Sequence, residues 1–408
     1  MLGSGIGAVV SGRRTMTMQR KVNVGVGLSV DSDSVEAARK ATRDAMAQAD
    51  LERADWAVCF FTTAHLPRAD ALHATVLEES GCLSLSGCSA MGVIGAGREV
   101  ERKPGVSVMV GRSREFTTKS ALLPESGEGL GRFAAMGDSA DGEQRTVIAL
   151  PDSFRVDNAR LQRRLAKDLP TVPVFGAGAT DDGTLGISLQ LGMEGVRSAS
   201  IATLGFYGDL QVAVGITQSC TVVGEPHFVT QAHDYILIEL DGRPALHTFI
   251  DQGRALGLDD MQQAAQELLF GFPLDRERPR FVGESCLVRP LAGFDQQSHG
   301  LVIPYPMDTQ TTVGFMHRNP SNAELDVRRM VGFVQDQLDG PPDFGFYFDC
   351  AARGRGLYGR EGVDLGMIHG HFGPFPLLGM FGGFELATTH GTAHVYTYTG
   401  VLVLLRAA

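Results

Sequence analysis

Short apolar runs that stop at glycine-rich turns recur along this sequence and limit the folds open to it. Gly87-Cys88-Ser89-Ala90-Met91-Gly92 follows Leu83–Leu85, and Gly176-Ala177-Gly178-Ala179 follows Val172–Phe175. Asp349-Cys350-Ala351-Ala352-Arg353-Gly354 follows Phe344–Phe348, and Gly382-Gly383-Phe384-Glu385-Leu386 lies near the carboxyl end. Glycine frees the backbone for tight turns and lets neighbouring chains approach closely. It supplies 51 of 408 residues, well above the roughly 7% of average proteins. Short apolar runs bounded by such turns read as buried strands, so a sheet-rich chain is expected.

Val22, Val24, Val26 and Leu28 alternate with smaller or polar residues and predict a strand. Asp33 with Glu36 forms a capping box for a helix to about Asp50. Further helices are expected over Asp70–Glu79, from Asp157 with Leu161, Leu165 and Leu169 on one face, and over Met261–Leu269. Ser321 with Glu324 caps another, whose apolar face is Val327, Met330, Val331, Val334 and Leu338. Strands are expected over Ala57–Phe61, Val106–Val110, Arg145–Leu150 and residues 185–191, 199–206 and 210–216. More follow over Ile236–Leu240, 281–288, 299–304, 311–316, Phe344–Phe348, 384–388 and 394–405. Runs of consecutive strands break any strict βαβ alternation. The expected class is α/β of the mixed α+β kind: two sheet-rich domains, mixed sheets flanked by helices. No short-period repeat is visible. The division is placed at 21–240 and 241–408, with residues 1–20 expected to be disordered.

Charge excludes some partners. Formal net charge is −11, from 36 basic and 47 acidic residues, with no basic run, so neither nucleic acid nor an anionic membrane is an expected partner. No apolar stretch reaches 18 residues, so no transmembrane helix is expected. Six dispersed cysteines without a CxxC pair fit buried thiols in a reduced, cytoplasmic protein.

The motifs are weak one by one. The 87–92 turn misses the GxSxG elbow because Met91 stands where glycine is required; its freed amides could still form an anion nest around Cys88, Ser89 and Gly92. Gly176-Ala177-Gly178 lacks the third glycine of a dinucleotide fingerprint. Arg353, at the exit of an apolar strand, offers a planar fork for a carboxylate, or else pairs with Asp349 or Asp364. Glu385 reads as a catalytic acid or half of an internal ion pair. His369 and His371 share a strand face if that segment is extended, as do His390 and His394. They are the weak metal candidates, because no recognised ligand spacing supports them.

Taken in order, these pieces resemble the FIST family, in which an N-terminal and a C-terminal domain occur together. The resemblance runs from Gly25-Val26-Gly27-Leu28-Ser29 through Gly87-Cys88-Ser89, Phe175-Gly176-Ala177-Gly178-Ala179, Val229-Thr230 and Glu239-Leu240-Asp241-Gly242-Arg243-Pro244-Ala245-Leu246. It continues in Phe348-Asp349-Cys350-Ala351-Ala352-Arg353-Gly354 and Gly379-Met380-Phe381-Gly382-Gly383-Phe384-Glu385-Leu386, and so covers about residues 22–400. It implies a small-ligand sensory module in signal transduction, its ligand an amino acid or similar small carboxylate bound between the two domains. Two departures stand out: Ala352 replaces a frequent glycine and would tighten the pocket, and Phe384 precedes Glu385 where glycine is common. The expected ligand contacts are Cys88, Ser89, Gly92, Cys350, Arg353 and Glu385. No cofactor is expected, although some relatives bind haem, which keeps a haem-based gas sensor as an alternative. An enzyme with a Cys350 or Cys88 nucleophile is the other. Without an attached kinase, cyclase, methyl-acceptor or F-box segment, a separate signalling protein is the expected partner, and a homodimer is allowed.

Overall fold

The computed structural model describes residues 21–136, 145–309 and 311–407; the expected disorder of residues 1–20 lies outside them. Three units with one topology make up most of the molecule. The first runs β1 (Val22–Ser29), α1 (Ser34–Ala49), β2 (Trp56–Thr62), α2 (Ala69–Ser80), β3 (Ser84–Ala90), a hairpin of β4 (Gly92–Gly95) and β5 (Arg98–Glu101), and β6 (Val106–Ser113). The second repeats this order as β7 (Phe116–Pro124), α3 (Leu130–Ala134), β8 (Arg145–Pro151), α4 (Asn158–Asp168), β9 (Val174–Ala177), a hairpin of β10 (Gln190–Gly192) and β11 (Gly195–Arg197), and β12 (Ser200–Gly208).

The third unit begins with β13 (Leu210–Gln218) and is then interrupted by residues 220–318. This insertion builds its own sheet from β14 (Cys220–His233), β15 (Ile236–Leu240), β16 (Arg243–Pro244), β17 (Leu268–Pro273), β18 (Cys286–Arg289), β19 (Gly293–Phe294), β20 (Leu301–Val302) and β21 (Thr312–Arg318), with α5 (Ala245–Ala255) and α6 (Met261–Glu267). The unit resumes with α7 (Pro320–Gln335), β22 (Phe344–Cys350), α8 (Gly354–Tyr358), α9 (Val363–Phe372), β23 (Leu377–Gly382), a hairpin of β24 (Glu385–Thr389) and β25 (Thr392–Tyr396), and β26 (Thr399–Ala407).

The strand orders β1-β6-β2-β3, β7-β12-β8-β9 and β13-β26-β22-β23 are equivalent. In each, the last two strands of this order are parallel, and the strand between them and the first (β6, β12 or β26) runs antiparallel to both its neighbours. Each hairpin leaves its own unit and extends another: β4 pairs with β23, β10 with β3, and β24 with β9. The exchange closes a cycle of three. Steric evidence supports the equivalence, because Gly87, Gly176 and Gly379 sit opposite Cys59, Ala149 and Tyr347. A Cβ on any of them would fall 2.0, 1.9 or 2.2 Å from the facing carbonyl oxygen. Each glycine is therefore fixed by a parallel neighbour pressed close against it.

All three sheets turn one face to a common core. Trp56, Phe206 and Phe344, one from each sheet, meet with ring centroids 5.5, 5.5 and 6.0 Å apart, contacts worth about 0.5–1.5 kcal/mol each beyond area burial. The opposite faces are covered by α1 and α2, by α3 and α4, and by α7 and α9. Burial on both sides explains why these strands read as unbroken apolar runs.

The mixed-sheet class is as expected. The 240/241 division falls inside the insertion, between β15 and β16, and the three unit sheets all contain strands from both sides of that division or from a neighbouring unit. Other details differ from the sequence reading. Asp33 does cap α1, accepting from the Val35 and Glu36 amides. The α7 cap is Asn319, ahead of Pro320, and not Ser321, because proline at the first turn pre-sets the helical φ. Residues 363–372, weighed as an extended segment bearing His369 and His371, are helical. Leu268 and Leu269 leave α6 to start β17.

Candidate functional site

A cleft of about 1130 Å³ opens at the carboxyl end of β22. Its floor is Cys350, Ala351, Ala352 and Gly383 of the third unit, together with Thr397 and Tyr398 of the turn into β26. One wall is the first turns of α4 (Asp157, Asn158, Gln162 and Arg163), with His394 of β25 beside it. The insertion supplies the other wall through Tyr235, Leu274, Leu287, Arg289, Pro290, Val302, Pro304 and Tyr305. Crevices outside the carboxyl ends of strands are where ligands bind in open α/β sheets. Tyr398 adopts φ +61, a left-handed conformation that costs a bulky residue about 1–3 kcal/mol and tends to occur at functional sites.

Arg289 sets the electrostatics of the cleft. It ends β18 at 8% exposure. It donates to the Val288 carbonyl (2.8 Å), the Val395 carbonyl (2.9 Å) and the Thr397 hydroxyl (3.4 Å), and its guanidinium carbon lies 5.9 Å from the centre of the Tyr305 ring. These acceptors are neutral, and no ion pair to Arg289 occurs among the described residues. Burial pulls its pKa below the ordinary arginine value, the direction expected of a cation without a counter-charge. His394, 3.3 Å from the Gln162 amide through Nδ1, is pushed down to about 4 by burial and is neutral at pH 7.

Arg353 faces elsewhere. It is fully buried, and its fork is consumed by Asp349 (2.8 Å), Asp364 (2.6 Å), the Ser219 hydroxyl (3.0 Å) and the Tyr358 hydroxyl (3.1 Å). The internal pairing with Asp349 and Asp364 is thus the one realised, and Arg353 does not line the cleft. Although desolvation opposes it, Asp364 and its neighbours raise the Arg353 pKa and keep the side chain charged.

Glu385 lies beneath Cys350 and outside the cleft lining. Its Oε2 accepts from the Thr399 hydroxyl (2.6 Å) and amide (3.3 Å), and its Oε1 has no partner among the described residues. Burial pushes the carboxyl up to about 8. It is therefore mostly neutral at pH 7 and does not supply the negative charge expected for a ligand ammonium.

The 87–92 segment is not an open turn. Cys88 and Ser89 lie inside β3, with Cys88 opposite Gln190 and the Ser89 amide donating to Leu189. The Ser89 hydroxyl donates to Thr180, and Gly92 faces Phe381. Strand exchange has used the amides that a nest would need. All six cysteines are free and buried. Burial drives the thiol pKa values of Cys88 and Cys350 far up, against the lowered value a nucleophile needs; Arg353 gives Cys350 no relief, being held by two carboxylates. His371 bonds Gln335 (2.6 Å) and His369 stacks edge-on against Phe375, both on α9 and off the cleft. Among the described residues, no cluster of three or more metal-ligating side chains occurs.

Of the expected contacts, Cys350 lines the cleft, as does Ala352, the residue expected to tighten it; Cys88, Ser89, Gly92, Arg353 and Glu385 do not. Arg289, Tyr305 and Tyr398 join the cleft through tertiary packing, and the pairing of His394 with His390 on a strand face gives no sign of it.

Comparison with known proteins gives a consistent result. The model of the FIST N domain matches residues 55–243, and that of the FIST C domain matches residues 252–388. An uncharacterized protein of Mycobacterium tuberculosis is 26% identical over 384 residues, which is 94% of this chain and 99% of that protein. Another from Mycobacterium bovis is 25% identical over 384 residues, covering 94% and 98%. No helix among the described residues is long and apolar enough to cross a membrane.

Proposed function

The chain belongs to the FIST family, and on that premise we propose that it is a ligand-binding sensory module whose ligand is a carboxylate held by Arg289. FIST domains are associated with sensory signal transduction. The observation that carries the ligand reading is a buried guanidinium, without an acidic partner among the described residues, at the wall of a large cleft. Leaving such a charge unpaired is costly, and an incoming carboxylate supplies the missing partner with fork geometry. The site is built jointly by α4, the third unit and the insertion, so a ligand bridging them would bias their relative positions. A separate protein would read that change.

The test is calorimetric titration and native mass spectrometry on the full chain and its Arg289→Gln variant. Carboxylate binding in the parent, weakened at least tenfold in the variant, is the expected result, since a charged hydrogen bond contributes about 1.5–3 kcal/mol. Equal affinity in both proteins would sink the reading.

A further inference from the structure

We propose that the ligand of this cleft is an amphipathic carboxylate, one anionic head on an acyl or arylalkyl body, and not a free amino acid. This rests on reading the cleft as the ligand site, and three observations carry it. The first is size. At about 1130 Å³, the cleft exceeds the roughly 300–1,000 Å³ typical of pockets for drug-sized molecules. A free amino acid would leave most of that space to water.

The second is charge. The arginines on the lining are Arg289 and Arg163. The acid there is Asp157, whose Oδ1 already caps α4 by accepting the Arg160 amide (2.9 Å). A ligand ammonium would meet two guanidiniums against this one carboxylate, which is already turned to the start of α4. The third is the insertion wall, to which Leu274, Leu287, Val302, Pro304 and Tyr305 contribute apolar side chains beside Arg289. Tyr305 itself stacks on Phe272 (4.2 Å between ring centres), which holds its face in place. Head and body are thus recognised side by side.

The experiment titrates the full chain calorimetrically with sodium hexanoate, octanoate and decanoate below their micelle concentrations, with decanol, and with leucine and phenylalanine. Affinity is expected to rise about fourfold per added methylene, and decanoate to bind roughly 10- to 100-fold more tightly than decanol. Arg289→Gln should reduce decanoate to the level of decanol. If that variant fails to fold, the decanoate–decanol contrast in the parent decides. Amino acids binding more tightly than decanoate, in an Arg289-dependent way, would overturn this inference and leave the sensory carboxylate site standing. Decanol equal to decanoate would overturn it by removing the head group from recognition. No binding by any probe would overturn both readings.

Discussion

Replacing Arg353 by methionine separates its role from that of Arg289. The side chain makes ion pairs or hydrogen bonds to Asp349, Asp364, Ser219 and Tyr358, and methionine keeps only its apolar bulk. Asp349 and Asp364 are 1% and 2% exposed, so both would remain in the interior without their cation. Removing one partner of a buried pair costs about 3–5 kcal/mol, most of it the penalty of the uncompensated charge. At about 2–4 °C per kcal/mol for mid-sized domains, the melting temperature should fall by roughly 6–20 °C. The loss also carries a pH signature. Burial already raises the Asp349 pKa against the lowering effect of Arg353, and removing that cation should raise it further above the unfolded value of about 3.9. For groups raised in this way, stability is fully present below the unfolded pKa and is lost as pH rises through the folded one. The deficit should therefore be widest near neutrality and narrow toward about pH 4. Calorimetric melting across pH is the assay, with Arg353→Met/Asp364→Asn expected to regain part of the loss. A variant that melts with the parent yet loses carboxylate binding would refute this and return Arg353 to the ligand.

Further outcomes follow from other buried groups. Glu385, raised by burial to about 8, contributes stability fully present below about pH 4 and lost as pH rises toward 8. Glu385→Gln should flatten that slope and exceed the parent by about 1–3 kcal/mol above pH 8, as read from urea midpoints; an unchanged slope would refute the burial argument. Gly87→Ala, Gly176→Ala and Gly379→Ala each place a methyl within 2.2 Å of a carbonyl oxygen and should each cost about 3 kcal/mol or more. A parent-like melting temperature for any one would break the equivalence of the three units. Cys88 should label with an alkylating reagent only as fast as the protein unfolds, and Cys350, on the cleft floor, only slowly near neutral pH, because burial keeps both protonated. A rapid, pH-dependent reaction of either in the folded chain would revive the nucleophile.

Much of the fold is legible locally because local rules act locally. Asp33 with Glu36, the Leu161–Leu165 stripe and the apolar run of β22 each declare their element within a few residues. The threefold repeat is not declared in this way. Its period is about 90 residues, its third copy is split by the insertion, and a shared feature such as Gly87, Gly176 and Gly379 is forced by contacts with residues some 27–32 positions away. Exchange of hairpins is also invisible, since β10 satisfies β3 across a hundred residues of chain. The site follows the same pattern. Arg289, at the end of Cys286-Leu287-Val288, shares with Arg353 the position of a planar fork at the exit of an apolar strand. What separates them is tertiary: one faces two aspartates, and the other faces carbonyls and a cleft. No local pattern records which.

Three equivalent strand ends exist, and what covers each explains why the described cleft lies at the third. In register, Cys350 corresponds to Thr62 of the first unit and Asp152 of the second. The first end is closed by the long connection from β9 to β10, residues 178–189. There the Asp182 amide donates to the Thr63 hydroxyl (2.8 Å) and the Ser89 hydroxyl to the Thr180 carbonyl (2.9 Å). The second end is closed by Asp152 itself, whose carboxylate accepts the Phe154 amide (2.9 Å) and the Ala199 amide (2.9 Å), while the Ser153 hydroxyl donates to Ala179 (2.6 Å). At the third, the corresponding connection between β3 and β4 is Met91 alone, and the strand exits through Cys350, Ala351 and Ala352, which are too small to fill the space. The insertion stands over that gap and brings Arg289 to it. Among the three described strand ends, the third is thus left short of cover and has the insertion spliced into its own unit as a partner wall, so that the charged wall and the open strand end arise together.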